Sequence, residues 1–417
     1  MHDARTAGTP ALPALGWVLI AAAGTFALTM GARQSMGLFV GALNTHTGVG
    51  LAGVSLAFAV AQLWWGLTQP VAGLVADRQG AGRVLLVGCL LVALGTALTP
   101  LMTSQAGLIV AIGILAAGGA GMAGPAVLMA ATTRLVPPER RGMAAGVVNA
   151  GGSFGQFVFA PIAQGITTAA GWAVALQSLA AFTLLALPAA WVLRSRAAPA
   201  TPAGAAPAAV PAGARATLAR ALALPSYRWL CAGFFVCGFH VAFIATHLPG
   251  VVASCQLPPE VGAWSLGVIG LFNILGSLTI GWAIGYQGGR WRMKSILSLI
   301  YAARALAVMV FVFAPKTPTT MLIFAAVIGF TYLSTVPPTA GLVARFFGPS
   351  QMAMLFGVVM LSHQVGGFLG AYLGGKTFEW TGSYDWMWWA DITLAVGAAL
   401  AHLPIDERRP TLAAQVA

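Results

Sequence analysis

Long apolar stretches recur about every 30 residues along the 417-residue chain, each closed by a short polar or glycine-rich break. A helix needs about 20 mainly apolar residues to cross a hydrocarbon core of about 30 Å, so the pattern predicts a bundle of membrane-spanning helices. Twelve spans fit, at 15–43, 51–76, 83–103, 106–135, 142–168 and 171–193, then 227–250, 260–286, 293–314, 318–346, 351–375 and 384–404. The fourth and tenth are interrupted near their middles, by GGAGMAGPA around Pro125 and by TVPPTAG around Pro337 and Pro338. Matching Gly/Pro interruptions in two halves of a transporter are the best sequence pointer to a binding site. Close packing through Gly118, Gly119 and Gly121 is the alternative reading of the first of them.

Between the sixth and seventh spans, residues 197–217 read AAPATPAGAAPAAVPAGARAT, without the periodicity that would bury a core. The chain therefore divides into a six-helix bundle over 1–196, a cytoplasmic Ala/Pro-rich linker over 197–226 and a second bundle over 227–417. The halves repeat. At one fixed offset, without a gap, Arg134 meets Arg345, Pro138 meets Pro349, the GVV at Gly146 meets the GVV at Gly357, Gly155 meets Gly366 and Phe157 meets Phe368. Parallel duplication of six-helix units is an architecture of secondary transporters, with the substrate near the midplane between the units.

Composition agrees: 59% of residues are hydrophobic and 7% charged. The net charge of +12 reports orientation, not nucleic acid, because of where the cations fall. With the first helix leaving the cytoplasm, Arg5, Arg78, Arg83, Arg134, Arg140, Arg141, Arg194, Arg196, Arg215, Arg220, Arg228, Arg290, Arg292, Lys294, Arg345, Arg408 and Arg409 lie inside. Only Lys316 and Lys376 lie outside, so both termini are expected in the cytoplasm. Four scattered cysteines predict free thiols, not a disulfide framework. No cleaved leader is expected, because the first apolar run is too long for a signal-peptide core.

Chemistry is sought in the few charges left at membrane depth. Arg33 follows seventeen uncharged residues from Gly16. An Arg near the middle of an inserted helix costs on the order of 2.5 to 3.5 kcal/mol, so it is expected to face a cavity and an anion. Snorkelling to the outer headgroups is the alternative. Arg304, in the ninth span, either supplies a second cation or pairs with Asp391 of the twelfth. His363 lies at the centre of the eleventh span, and an imidazole there suits a proton-linked carrier or ties helices together. His240 and His247 on the seventh span carry the same two readings. Asn149, Gln156, Gln62, Tyr332 and Asn273 are neutral groups near the midplane that either orient an oxygen-rich solute or bridge helices. Trp64 and Trp65 read as packing or interface anchors.

After the second span comes GLVADRQGAGR, Gly73 to Arg83, which resembles the signature loop of the major facilitator superfamily. The resemblance implies a conformational gate formed by Gly73, Asp77, Arg78, Gly80 and Arg83. The second-half loop, GWAIGYQGGRWRMK from Gly281, has Gly285 in place of the Asp77 counterpart, and a weaker latch is expected there. Within that superfamily the chain looks like the bacterial branch related to monocarboxylate and oxalate/formate transporters. GWV at Gly16, ARQSMGLF from Ala32, WGLTQPVAGLVADRQG from Trp65, GLFNILGSLTIGW from Gly270 and SHQVGGFLGAYLGG from Ser362 carry the likeness. In the monocarboxylate carriers a lysine stands within a residue or two of Arg33's position, and related anion exchangers carry one in the eleventh helix, which His363 occupies here. Two features depart from those carriers. Their helix-eight Asp and Arg correspond to Asn273 and Ser277, and Ala14 and Leu15 replace the acidic part of their helix-one signature.

The expectation is thus an all-α membrane protein of the major facilitator fold, monomeric, in a bacterial cytoplasmic membrane. It would carry small organic anions, monocarboxylates first, by alternating access, with proton symport through His363 as a further expectation. A drug/proton antiporter is the alternative, with weak support in the fifth span. Gly146 and Gly155 keep the glycine spacing of that class, but Phe159, Ala160 and Pro161 break its ending. No acid lies at the centre of the first-half helices, where a cationic drug would want one. Neither an HExxH pair nor a GxSxG elbow appears, so neither an enzyme nor a cofactor is expected.

Overall fold

A computed structural model describes residues 12–136, 140–194, 214–285 and 291–408. In the first half α1 begins as Leu12–Ser35, tightens into a 3-10 turn at Met36–Phe39 and resumes as Val40–Thr47. It is followed by α2 (Leu51–Gln79) and α3 (Ala81–Leu98). The next helix, α4, runs from residue 105 with a π-helical stretch at Ile109–Ala116, breaks at Ala123 and Gly124, and resumes as Pro125–Leu135. Then come α5 (Arg141–Ala170) and α6 (Trp172–Leu184, extended by Leu187–Val192). The second half contains α7 (Pro225–Ser254), α8 (Pro259–Gly285) and α9 (Met293–Phe313). It ends with α10 (Pro318–Thr331, resumed as Val336–Phe347), α11 (Pro349–Thr381) and α12 (Asp385–Ala401).

Ten of these helices are long and apolar enough to cross a membrane. The remaining two are α5, diluted by Asn149, Ser153, Gln156 and Gln164, and α12, only 17 residues long. With them the twelve expected helices are present among the described residues. Both expected interruptions are real, and proline sets where each helix restarts. Pro125 opens the second piece of α4, and Pro337 falls in the first turn of the second piece of α10, where a missing N–H costs nothing. The linker is partly corrected: 195–213 lie outside the described residues, but Ala214–Ala223, inside its expected bounds, is helical and leads through Leu224 into α7.

Lipid offers no hydrophobic drive between helices, so close contact falls to small residues. The repeat shows how. Gly155 of α5 lies against the Ala27 carbonyl of α1, and its repeat mate Gly366 of α11 lies against the Phe235 carbonyl of α7. A Cβ at either position would press into backbone that cannot swing aside. Gly155→Ala and Gly366→Ala are each expected to destabilise the protein by about 1–3 kcal/mol, the usual cost of overpacking, read as a lowered melting temperature in detergent. An unchanged melting curve would contradict this packing.

The halves meet along α2–α11 and α5–α8. Gly66 lies on the Gln364 side chain, Gly367 on Gln62 and Gly375 on Ser55, while the Ala52 amide donates to Glu379 Oε1 at 3.3 Å. Across the other seam, Gly267 lies on the Phe157 carbonyl and Gly270 on that of Ser153. Two turns further toward the basic loops the glycines of these helices are bare. Gly73, seven residues beyond Gly66, Gly146, seven before Ser153, and Gly357, seven before Gln364, have nothing within 4 Å of an added Cβ. Gly281 and Gly285 on α8 are equally bare.

Candidate functional site

Arg33 sits on the last turn of the first piece of α1, just before the helix tightens at Met36. Its Nη2 donates to Gln62 Oε1 at 2.6 Å, and its guanidinium lies 4.7 Å from the centre of the Trp65 ring. Gln62 and Trp65 are three residues apart on α2 and so share a face, which holds the cation by a hydrogen bond and by the ring's electron-rich surface. The three-residue spacing was visible in the sequence, and reading Trp65 as a packing anchor missed it. Trp64 does pack, with its indole nitrogen against Gly118 of α4.

This group borders a cavity of about 40 Å³ enclosed by the first four helices, with Ala245 and Thr246 of α7 at its edge. Its walls include Arg33, Gln34, Gln62, Thr96, Ala245 and Thr246, and the π-helical stretch of α4 contributes Ile112 and Ala116. Gly37 touches the Ala245 carbonyl, bringing α1 against α7 at the cavity edge. The arginine is turned into this cavity, whereas the snorkelling reading would have put it at the membrane surface. Its Nε is buried without a hydrogen-bond partner, and among the described residues no carboxylate pairs with it.

The second arginine is placed differently from either expectation. Arg304 is 2% exposed, and its Nη2 donates to the carbonyls of Thr331 and Tyr332, the latter at 2.6 Å. These are backbone groups freed where α10 breaks, and a buried carbonyl without a partner is costly. Asp391, the expected ion-pair partner of Arg304, instead has its carboxylate 3.4 Å from His240 Nε2. Arg304, His240, Asp391 and Tyr332 border a separate void of about 10 Å³ inside the second half. Arg304 therefore does not supply the second cation of the Arg33 cavity.

The neutral candidates also sort by their partners. Asn273 donates from Nδ2 to Ser153 Oγ at 2.8 Å and accepts from the Leu333 amide at 3.0 Å. It ties α8 to α5 and to the α10 break, so the position that departs from the monocarboxylate carriers is a brace. Tyr332 is equally committed, with its hydroxyl on the Val241 carbonyl at 3.0 Å. Gln156 is buried at the α5–α8 seam beside Gly270 with its Nε2 unpartnered, and Asn149 is exposed. His363 tilts against Phe234, ring centres 5.0 Å apart, and is not among the residues lining the Arg33 cavity. His247 bonds the Ala371 carbonyl at 2.8 Å through Nε2. Gln364, next to His363 in the chain, is a site residue that sequence reading passed over. Fully buried at the α2–α11 seam, it leaves both amide atoms unpartnered.

In the gate loop a single residue, Gly80, links α2 to α3 at φ +91°. A side chain is strained there, which explains why the signature requires glycine. Its N–H bonds the Ala76 carbonyl at 2.9 Å. Arg78 and Arg83 are exposed and Gly73 meets no neighbour. The side chain of Asp77 and the counterpart residues 286–290 lie outside the described residues.

A family model described as the Major Facilitator Superfamily matches residues 21–294 and 282–416. Among curated relatives, Monocarboxylate transporter 13 of Rattus norvegicus is 25% identical over 376 residues, covering 88% of this chain and 84% of that protein. Monocarboxylate transporter 11 of Homo sapiens is 26% identical over 430 residues, covering 98% and 87%. An uncharacterized MFS-type transporter, YcxA of Bacillus subtilis, is 28% identical over 153 residues, 36% of this chain and 37% of that protein. In three dimensions, a bacterial homolog of the human lysosomal transporter Spinster, in an inward-facing and occupied conformation, superposes with a TM-score of 0.73. The match has 14% identity over 96% of this chain and 99% of that one. A mutant form of the nucleoside transporter NupG gives 0.76 at 14% identity over 94% and 99%. At such identities these structures speak to the fold alone. Two six-helix units, a duplicated sequence and a family model spanning nearly the whole chain lead to one assignment: this membrane transporter belongs to the Major Facilitator Superfamily.

Proposed function

We propose that this transporter carries small organic anions, monocarboxylates first, across a bacterial cytoplasmic membrane by rocking of its two halves, with Arg33 receiving the carboxylate. The observation that carries the reading is the Arg33 guanidinium, held in the wall of the cavity beside α7 by Gln62 and Trp65 without a counter-charge among the described residues. A planar guanidinium matches a carboxylate in shape, and its remaining N–H groups, Nε included, are left for an oxygen ligand. Cavity walls that carry one charge, a positive one, disfavour a lipophilic cation. The names of the two long-matching relatives point the same way.

The test is uptake by the purified protein in liposomes, comparing radiolabelled lactate and pyruvate with tetraphenylphosphonium. Saturable carboxylate uptake without cation uptake is expected. Movement of the cation alone would overturn the reading in favour of the drug-antiporter class. A binding readout accompanies it: a short carboxylate at 100 times its dissociation constant stabilises the folded protein by about 2.7 kcal/mol, seen as a raised melting temperature.

A further inference from the structure

The void inside the second half is separate from the Arg33 cavity, and it gathers the most buried carboxylate and the most buried arginine among the described residues, with a buried histidine beside them. Asp391 is 0% exposed, Arg304 2% and His240 3%. Arg304 Nη2 apart, most of their polar atoms are not satisfied by the protein. Arg304 Nε and Nη1, His240 Nε2 and both Asp391 oxygens lack a hydrogen-bond partner, although His240 and Asp391 stand 3.4 Å apart. Buried polar groups are nearly always paired, so a cluster left open around a void of about 10 Å³, room for about one water, calls for an explanation. Ionisable residues at this depth in transporters mark ion and proton paths.

We propose that His240 and Asp391 together bind the proton that this transporter couples to its cargo, with Arg304 relaying the charge of the pair to the α10 break. With Arg304 and Asp391 charged and His240 neutral, the cluster carries no net charge. One proton, taken by His240 Nε2 or an Asp391 oxygen, brings it to +1. Adding a lone positive charge in a low-dielectric interior is unfavourable, and an arriving carboxylate offsets it. That is the charge balance of proton–anion symport.

The relay is built from bonds already described. Arg304 borders the same void as Asp391 while its Nη2 holds the Thr331 and Tyr332 carbonyls. Tyr332, at that break, lies within electrostatic reach of both Arg304 and Arg33. A change of charge at the pair therefore acts on the helix break that adjoins the substrate side. The other titratable groups around the pair are Tyr301 and Cys237. Tyr301, on α9, has its ring 5.4 Å from the Arg304 guanidinium. Cys237, on α7, has its thiol 3.2 Å from Thr335 Oγ1 and beside His363 of α11. Of all these groups only Asp391 is an acid, which makes it the natural acceptor. This assigns the proton to His240 and Asp391 in place of His363.

The proposal rests on the anion reading only for its transport assay. Infrared spectra of the wild-type protein in liposomes, titrated with acid, are expected to show a protonated-carboxyl C=O band that Asp391→Asn removes. In uptake, Asp391→Asn is expected to retain lactate counterflow while losing at least tenfold of the accumulation driven by a pH gradient. Should Asp391→Asn fail to insert, His240→Gln must shift the midpoint at which the wild-type band appears. A band that survives Asp391→Asn, a midpoint indifferent to His240→Gln, or full pH-driven accumulation in Asp391→Asn would each overturn the proposal. If lactate is not a substrate, the anion reading fails while the infrared titration still decides this one.

Discussion

Replacing Arg33 with glutamine lowers carboxylate uptake by about tenfold to a hundredfold while leaving the protein folded and inserted. The size follows from the bond removed: a hydrogen bond to a charged group contributes about 1.5–3 kcal/mol, and each 1.4 kcal/mol is a factor of ten. Stability should move in the opposite direction. An unpaired cation at membrane depth costs folding energy, so Arg33→Gln is expected to melt no lower than wild type in the absence of substrate. Arg33→Lys should recover only part of the uptake, because an ammonium cannot both lie flat on Trp65 and keep the Gln62 bond in the same geometry. Initial rates in liposomes, read beside melting curves, check all three statements. Wild-type uptake by Arg33→Gln would remove the carboxylate site from this residue.

Arg304→Met is expected to have the largest effect on stability, about 3–5 kcal/mol, the usual penalty for stranding one member of a buried charged set. Two losses combine in it: the buried Asp391 carboxyl loses the arginine beside it, and the Thr331 and Tyr332 carbonyls lose their donor. The double substitution Arg304→Met with Asp391→Leu should recover a large part of that loss, since it removes both charges and fills the void with apolar atoms. Chemical denaturation of the single and double variants in detergent gives the coupling directly. Additive losses would mean that the two residues do not interact.

Much of the fold was legible because depth in a membrane is written in one dimension. Runs of apolar residues between basic loops placed twelve helices, and Pro125, Pro337 and Pro338 placed the interruptions, since proline lacks the N–H that a continuing helix needs. Rotation about each helix axis was not legible. Lipid-facing and protein-facing sides are both apolar here, so the sequence carries little sign of which way a residue points. Arg33 was identified because any charge at that depth stands out. Whether Asp391 meets Arg304 or His240, three residues on three helices distant in sequence, depends on how α7, α9 and α12 are turned against one another. His363 shows the same limit. Its depth suited a substrate role, but its ring is turned onto Phe234.

The bare stretches around Gly73, Gly146, Gly281 and Gly357 acquire a purpose once the halves of a superfamily member are allowed to pivot. Small residues continue along each of these faces beyond the last point of contact, like the unused teeth of a hinge. Without a side chain, each of these positions leaves space for backbone to close in from a facing helix, so the sequence holds room for a second packing beside the one the structure displays.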